Sequence, residues 1–220
     1  MVEFAVQRAN MVDSQVRPSD VTDRRIPRAM LEVPREVFVP AAQRALAYKD
    51  DPIRLHGGSR ARTMPAPRLL AKMLQHLEIG AGDSVLDIGC TTGYAAAVLA
   101  RLAKTVTALE DDATLAETAR RNLAGVGASA VRVEVGPLPG GWAPQAPYDA
   151  ILLEGSVAEI PATILDQLKD GGRLAAIISE GRVGRMALWQ RTGARFDSRV
   201  IFDAEASMLP GFEKPVGFVF

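Results

Sequence analysis

Cysteine is almost absent from this chain of 220 residues. One thiol, Cys90, can form neither an internal disulfide nor a cysteine-built structural zinc site, and a reducing, cytoplasmic setting fits that usage. Histidine is nearly as scarce: His56 and His76 are the whole supply. Neither sign of charge is in excess, with 26 basic against 26 acidic residues, so no global field would hold a nucleic-acid backbone or an anionic membrane. No apolar run approaches the roughly 20 residues of a membrane span, and Met1-Val2-Glu3-Phe4 lacks the basic start of a secretory signal. What remains is a chain with 48% hydrophobic residues, enough for one substantial core, with no nucleic-acid or membrane partner expected.

From about residue 82 the chain alternates strand-like and helix-like segments. Ser84 to Ile88, Thr105 to Glu110, Ala130 to Val135 and Tyr148 to Glu154 read as strands. Tyr94 to Ala103, Ala113 to Leu123 and Pro161 to Leu168 read as helices. Such alternation predicts an α/β fold, a doubly wound, mostly parallel Rossmann-like sheet with helices on both faces. After Gly171-Gly172 come three strands, Arg173 to Ser179, Met186 to Arg191 and Arg199 to Phe202, the last two joined too tightly for a helix. The sheet should therefore end in an antiparallel hairpin. Residues 1–80 have another texture, helical in part over Ala5 to Met11, Val21 to Val33 and Pro40 to Tyr48 and punctuated by prolines. They predict a helical cap and a loop over a sheet domain of residues 81–220.

The turn Asp87-Ile88-Gly89-Cys90-Thr91-Thr92-Gly93-Tyr94 lies where the first strand meets its helix. Gly89 and Gly93 allow a tight turn and close approach of a ligand, with Cys90 and Thr91 lining it. The bland alternative is a mere connection. Glu110 ends the next strand, 21 positions after Gly89, where an acid can accept hydrogen bonds from both hydroxyls of a ribose; Asp111 follows it. Alternatively Glu110 simply favours the start of the next helix, with Asp111 or Asp112 capping it. A dinucleotide fingerprint would carry a middle glycine to surround a diphosphate, and Thr91 stands there instead. S-adenosylmethionine has no phosphate but carries an ammonium and a sulfonium, so Asp87 beside the turn suits it better than NAD. Glu154, at the end of the fourth strand, faces the edge where open α/β sheets bind ligands; it would contact cofactor or substrate, or pair with a loop arginine. Tyr94 and Trp142 read as packing groups, and Cys90 as a small residue of the cleft rather than a reactive thiol.

Val85-Leu86-Asp87-Ile88-Gly89-Cys90-Thr91-Thr92-Gly93-Tyr94 resembles the first motif, VLEIGTGSGY, of the protein-L-isoaspartate O-methyltransferases. Tyr148 to Leu153 running on to Glu159-Ile160-Pro161, and Gln167-Leu168-Lys169 with Gly171 to Leu174, are similar to later motifs of that family. In the cap, Met11-Val12, Gln15-Val16, Val33 to Pro40 and Ala47 to Asp50 with Pro52 match a pattern specific to it. The resemblance implies an S-adenosylmethionine-dependent methyltransferase acting on the carboxylate of isoaspartyl residues in proteins or peptides. It places the catalytic segment at Thr63-Met64-Pro65, where the family has Thr-Ile-Ser, so the family's serine is Pro65 here. Its GDG, whose acid contacts the adenine amine, reads Gly136-Pro137-Leu138, which makes Pro137 and Leu138 the adenine-side candidates. The segment from Pro52 to Pro67 is about three residues longer than usual.

An ionised carboxylate, with a pKa near 4, attacks a sulfonium methyl without a general base, so scarce histidine is no objection. Positioning supplies the rate, roughly 7–11 kcal/mol through proximity alone. Arg60 and Arg62, in a stretch free of acids, are the candidates for gripping the substrate carboxylate by paired hydrogen bonds, against the alternative of a solvated loop. Two other outcomes stay open: a methyltransferase for a different small-molecule or peptide acid, and a non-catalytic adenosylmethionine-binding protein. Oligomeric state is not legible.

Overall fold

The computed structural model describes residues 3–55, 62–180 and 183–213. A short hairpin, β1 (Ile53–Leu55) and β2 (Arg62–Met64), pairs Leu55 with Arg62. The main sheet has seven strands: β3 (Ser84–Ile88), β4 (Thr105–Glu110), β5 (Arg132–Val135), β6 (Tyr148–Val157), β7 (Leu168–Glu180), β8 (Val183–Thr192) and β9 (Arg195–Asp203). Their order is β5-β4-β3-β6-β7-β8-β9. The first five are parallel, and β8 and β9 run antiparallel as the predicted hairpin. The chain steps outward from β3 through β4 to β5, then returns to the other side of β3 with β6. That reversal opens a crevice beyond the carboxyl ends of β3 and β6, the position where such sheets bind ligands.

Helices α1 (Phe4–Met11), α2 (Arg25–Glu32) and α3 (Pro67–Leu77) precede the sheet; α4 (Tyr94–Leu99), α5 (Ala113–Gly125) and α6 (Ala162–Leu165) connect its strands. One core joins the cap to α3, α4 and α5, with Met30, Phe38, Met64 and Leu74 fully buried. The other lies on the opposite face around Ile88, Ile151 and Leu174 and includes Leu209 and Phe212.

Several boundaries differ from the sequence expectations. The helix expected from Val21 starts only at Arg25, because the Thr22 and Asp23 amides both donate to the Gln75 Oε1 of α3, 2.8 Å each. Pro40 to Tyr48 winds into a 3-10 turn over Ala41–Leu46. The helix expected over Tyr94 to Ala103 closes at Leu99 in a tight turn, in which the Leu102 and Ala103 amides share the Leu99 carbonyl. The helix expected to Leu168 stops at Leu165: the Gln167 carbonyl accepts from the Tyr148 amide at 2.8 Å and carries the chain into β7. Gly171-Gly172 fall inside β7, not before it, at an interruption where pairing jumps from Tyr148–Leu168 to Ala150–Arg173. Helix α3 has no counterpart in the sequence reading, although Pro67 marks its first turn. β6 runs past Glu154 to Val157 because the C-terminal segment joins it: the Ser156 amide donates to the Ser207 carbonyl at 2.9 Å and the Leu209 amide to the Ser156 carbonyl at 2.8 Å.

Candidate functional site

The turn after β3 is built from backbone conformations that few side chains tolerate. Gly89 has φ +82° and Gly93 φ +92°, and Thr91 takes φ +51° without being glycine. The two glycines serve different ends. A Cβ on Gly93 would press on Ala119 and Leu123 at 3.2 and 3.3 Å, so its bare backbone lets α4 approach α5. A Cβ on Gly89 would meet the Leu209 side chain at 2.9 Å and the Arg62 guanidinium at 3.2 Å, in front of the sheet edge. Four of the turn's amides are spent inside the protein. Those of Gly89 and Cys90 donate to the Leu109 carbonyl at 2.8 and 3.2 Å, that of Gly93 to the Cys90 carbonyl at 2.8 Å, and that of Thr91 to Glu110 Oε2 at 2.7 Å. Thr92 Oγ1 donates to the Phe38 carbonyl at 2.7 Å, which ties the cap to the turn.

Glu110, at the end of β4, is fully buried and collects five donors. Besides Thr91 these are the Asp111 and Asp112 amides, at 3.0 and 3.2 Å on Oε1, and Arg62, whose Nη1 reaches Oε1 at 2.6 Å and Nη2 reaches Oε2 at 2.9 Å. Arg62 Nη1 also reaches Asp111 Oδ1 at 2.5 Å. Asp112, not Asp111, caps α5, accepting from the Thr114 and Leu115 amides. Burial pushes the Glu110 carboxyl up to about 7, and the Arg62 charge opposes the rise. Arg62 therefore does grip a carboxylate with its fork, but in this structure the carboxylates are the chain's own, not a substrate's. It is 3% exposed and takes both carboxylate oxygens of Glu110. Arg60 and His56 lie outside the described residues.

Asp87 of β3 and Glu154 of β6 complete the acidic set. Both are buried, on neighbouring strands where Asp87 pairs with Leu152 and Ile88 with Leu153. Neither Asp87 oxygen has a hydrogen-bond partner, nor has Glu154 Oε1. Burial raises Asp87 to about 7, and it lifts Glu154 well above the carboxylate range, helped by the nearby Asp87 charge. The two carboxyls thus act on each other's protonation although Asp87 meets no donor at hydrogen-bond geometry. Cys90 is fully buried near these acids; burial and their charges push its thiol up, which favours the protonated form.

At the expected catalytic segment, Met64 is fully buried in the core and Pro65 is buried, while Thr63 keeps a partly exposed side chain. The Pro65 carbonyl accepts from Arg35 Nη2 at 2.7 Å. Arg35 is itself fully buried, donates through Nε to the Ala47 carbonyl at 2.8 Å, and stacks 4.6 Å over the Tyr94 ring. At the adenine side Leu138 is fully buried, in the core with Ile88 and Leu109, and Pro137 precedes its one-turn helix without a donor or an acid. Tyr94 packs edge-on against Phe38, and Trp142 packs against Gly136; both fill space, as expected. The sequence reading missed Leu209 and Arg35. Leu209 reaches the site through Gly155, where a Cβ would stand 2.7 Å from Leu209 Cγ, so the small residue beside Glu154 was the available signal.

The residues fit S-adenosylmethionine in kind: orphaned buried acids suit a doubly cationic ligand, and a bare turn at the sheet's reversal suits close approach. A family model for protein-L-isoaspartate(D-aspartate) O-methyltransferase matches residues 7–205. A protein-L-isoaspartate O-methyltransferase of Methanoculleus marisnigri is 42% identical over 170 residues, 77% of this chain and 76% of its own. Another, from Koribacter versatilis, is 34% identical over 208 residues, 94% of this chain and 92% of its own. A solved protein-L-isoaspartate O-methyltransferase superimposes with a TM-score of 0.83 at 26% identity, covering 94% of this chain and 66% of that one. A Plasmodium falciparum structure in complex with S-adenosyl-L-homocysteine shares the fold, with a TM-score of 0.79 at 19% identity over 92% of this chain. The chain belongs to the protein-L-isoaspartate O-methyltransferases, a family of S-adenosylmethionine-dependent enzymes.

Proposed function

We propose that this protein methylates the carboxylate of isoaspartyl residues in proteins or peptides, using S-adenosylmethionine held at the β3–β6 crevice. The observation that carries the reading is a convergence of residues: the Gly89 turn, Glu110 and two unpartnered buried acids meet where the sheet reverses, in a chain whose family match spans residues 7–205. Bound there, the cofactor supplies an electrophilic methyl on a sulfonium, which an ionised carboxylate attacks without a base.

The chain's residues bind and orient. Asp87, Glu110 and Glu154 offer acceptors, with Asp111 beside them; Gly89, Cys90, Thr91 and Gly93 shape the turn, and Pro137 and Leu138 wall the adenine side with apolar surface. Of Thr63-Met64-Pro65, Thr63 turns its partly exposed side chain to the substrate side, while buried Met64 and Pro65 anchor the segment through the core and the Arg35 bond to the Pro65 carbonyl. Since Pro65 has no hydroxyl, the substrate carboxylate is oriented by Arg60 and Arg62, the latter freed once it leaves Glu110. Residues 1–80 act as the cap and loop over the sheet domain of residues 81–220. No helix among the described residues is long and apolar enough to cross a membrane; a cytoplasmic setting is supported by the lone cysteine, kept as a buried thiol. The test is methyl transfer to paired isoaspartyl and aspartyl peptides. Turnover on the isoaspartyl peptide alone is expected; turnover on neither, with cofactor bound, would reassign the chain to cofactor binding without catalysis or to a different acid substrate.

A further inference from the structure

Three buried carboxyls, Asp87, Glu110 and Glu154, surround the turn, and they are unequally served. Glu110 has five donors, including both arms of Arg62. Asp87 has no partner on either oxygen, and Glu154 has none on Oε1, although both are at least nine-tenths buried. Isolated buried carboxylates are too costly to persist, so such a pair keeps a proton or takes a cation.

We propose that Glu154 and Asp87 form a proton-sharing carboxyl pair that reads the sulfonium charge and so favours S-adenosylmethionine over its product, S-adenosylhomocysteine. The inference deepens the proposed function and rests on its cofactor assignment. Without ligand the pair holds one proton and one negative charge between two acids. A sulfonium beside it favours the doubly ionised pair, and the displaced proton passes to solvent. Once the methyl has left, the product's sulfur is a neutral thioether; the pair takes a proton back, and its preference for the ligand falls. The pair thus links product release to the loss of charge that the reaction itself causes.

The groups facing the pair are consistent with this. Glu110 on β4 adds negative charge and raises both acids, while Arg62 on β2 lowers Glu154 but is committed to Glu110 and Asp111. Cys90 in the turn is held neutral, and Arg35, under Tyr94, feels the Glu154 charge but donates to the Ala47 and Pro65 carbonyls. Of these two cations only Arg35 keeps an unpartnered arm, its Nη1, and neither donates a hydrogen bond to Asp87.

The test is proton linkage, read by calorimetry in buffers of different ionisation enthalpy below about pH 7, where the ligands' amino groups keep their charge. Both ligands carry the same ammonium and carboxylate, so the difference between them isolates the sulfonium. Wild-type protein should release up to about one more proton on binding S-adenosylmethionine than on binding S-adenosylhomocysteine, and its preference for the former should climb by up to roughly tenfold per pH unit. Sinefungin, which carries an ammonium in place of the methylated sulfur, should behave like S-adenosylmethionine. In Glu154→Gln the amide donates to Asp87, which then stays ionised, and the difference in proton release should vanish. Equal proton release for both ligands in the wild type, or a difference that survives in Glu154→Gln, would overturn the pair while leaving the cofactor assignment standing. Failure of the wild type to bind either ligand would overturn the assignment and the pair together.

Discussion

Arg62 and Glu110 face each other fork to fork, 2.6 and 2.9 Å apart, 48 residues apart in sequence and both almost without solvent contact. The arginine satisfies a buried acid, and in doing so it occupies the acceptor edge on which the proposed ribose contact depends. Arg62→Ala should therefore bind S-adenosylhomocysteine more tightly, by about tenfold or roughly 1.4 kcal/mol. The unliganded protein should lose stability, by less than the ~3–5 kcal/mol usual for a broken buried pair, because three backbone amides stay on Glu110. At saturating cofactor its kcat/KM for an isoaspartyl peptide should drop at least tenfold, since the fork is also our proposed substrate contact, and lysine should rescue only part of the loss. Calorimetry and peptide kinetics together check this; weaker cofactor binding in the variant would show that Arg62 supports the ligand instead of competing with it.

Glu110→Ala acts in the opposite sense. The variant leaves the Thr91, Asp111 and Asp112 amides without their acceptor and removes the ribose partner. Cofactor affinity should fall by about 1–3 kcal/mol, the range for losing hydrogen bonds to a charged acceptor. Unchanged affinity in folded protein would remove Glu110 from the site.

What the sequence disclosed and what it hid divide along contact range. The Gly89 turn, the strand-end acids and the alternation of β3 through β6 were legible because each is written in a few consecutive residues. Arg62 looked like a loop arginine in an acid-free stretch; its partners, Glu110 and Asp111, stand on the far side of α3 and β3 in sequence, and only the fold brings them together. Helix ends were misplaced where a side chain from elsewhere competes for backbone groups, as Gln75 does at the start of α2. Gly89 also shows the limit of a local argument. It was expected to serve a tight turn and the approach of a ligand; φ +82° and the packed Leu209 add a packing role, so Gly89→Val should lose both cofactor binding and stability, seen as a lower Tm without ligand.

The buried acids make stability depend on pH. Asp87 and Glu110 are raised from ordinary carboxylate values to about 7. The unfolded chain releases these protons first, so their neutral forms favour the folded state fully below about pH 4, and that contribution is lost as pH rises through about 7. Urea midpoints of the unliganded protein should therefore decline between these limits, and Glu154→Gln should flatten the decline by removing one of the three interacting acids. A midpoint that climbs over the same range would show that the folded state holds these acids below their unfolded values, as partnered carboxylates.

Leu209 offers the sharpest separation of lid from scaffold. Its backbone is held by the bond from its amide to the Ser156 carbonyl, and the preceding turn of chain by the Ser156 amide on the Ser207 carbonyl, so the segment stays on β6 without the side chain. The side chain itself lies over Gly89 and Gly155 and reaches into the core that holds Leu138 and Leu153. Leu209→Ala should cost about 2–3 kcal/mol, the low end for a buried leucine, because the cavity opens at the sheet edge where a ligand can fill it. Clearing the space before Gly89 should tighten S-adenosylhomocysteine binding several-fold, so the ligand-induced rise in Tm should exceed that of the wild type. Arg62 reaches the same glycine, so the two truncations share a neighbour and should not be independent. In the Arg62→Ala, Leu209→Ala double variant, the gain in affinity should fall short of the product of the two single gains. A strictly multiplicative gain would show that the two side chains guard separate parts of the site, and a Leu209→Ala variant with weakened binding would show that the C-terminal segment is part of the cofactor's own wall.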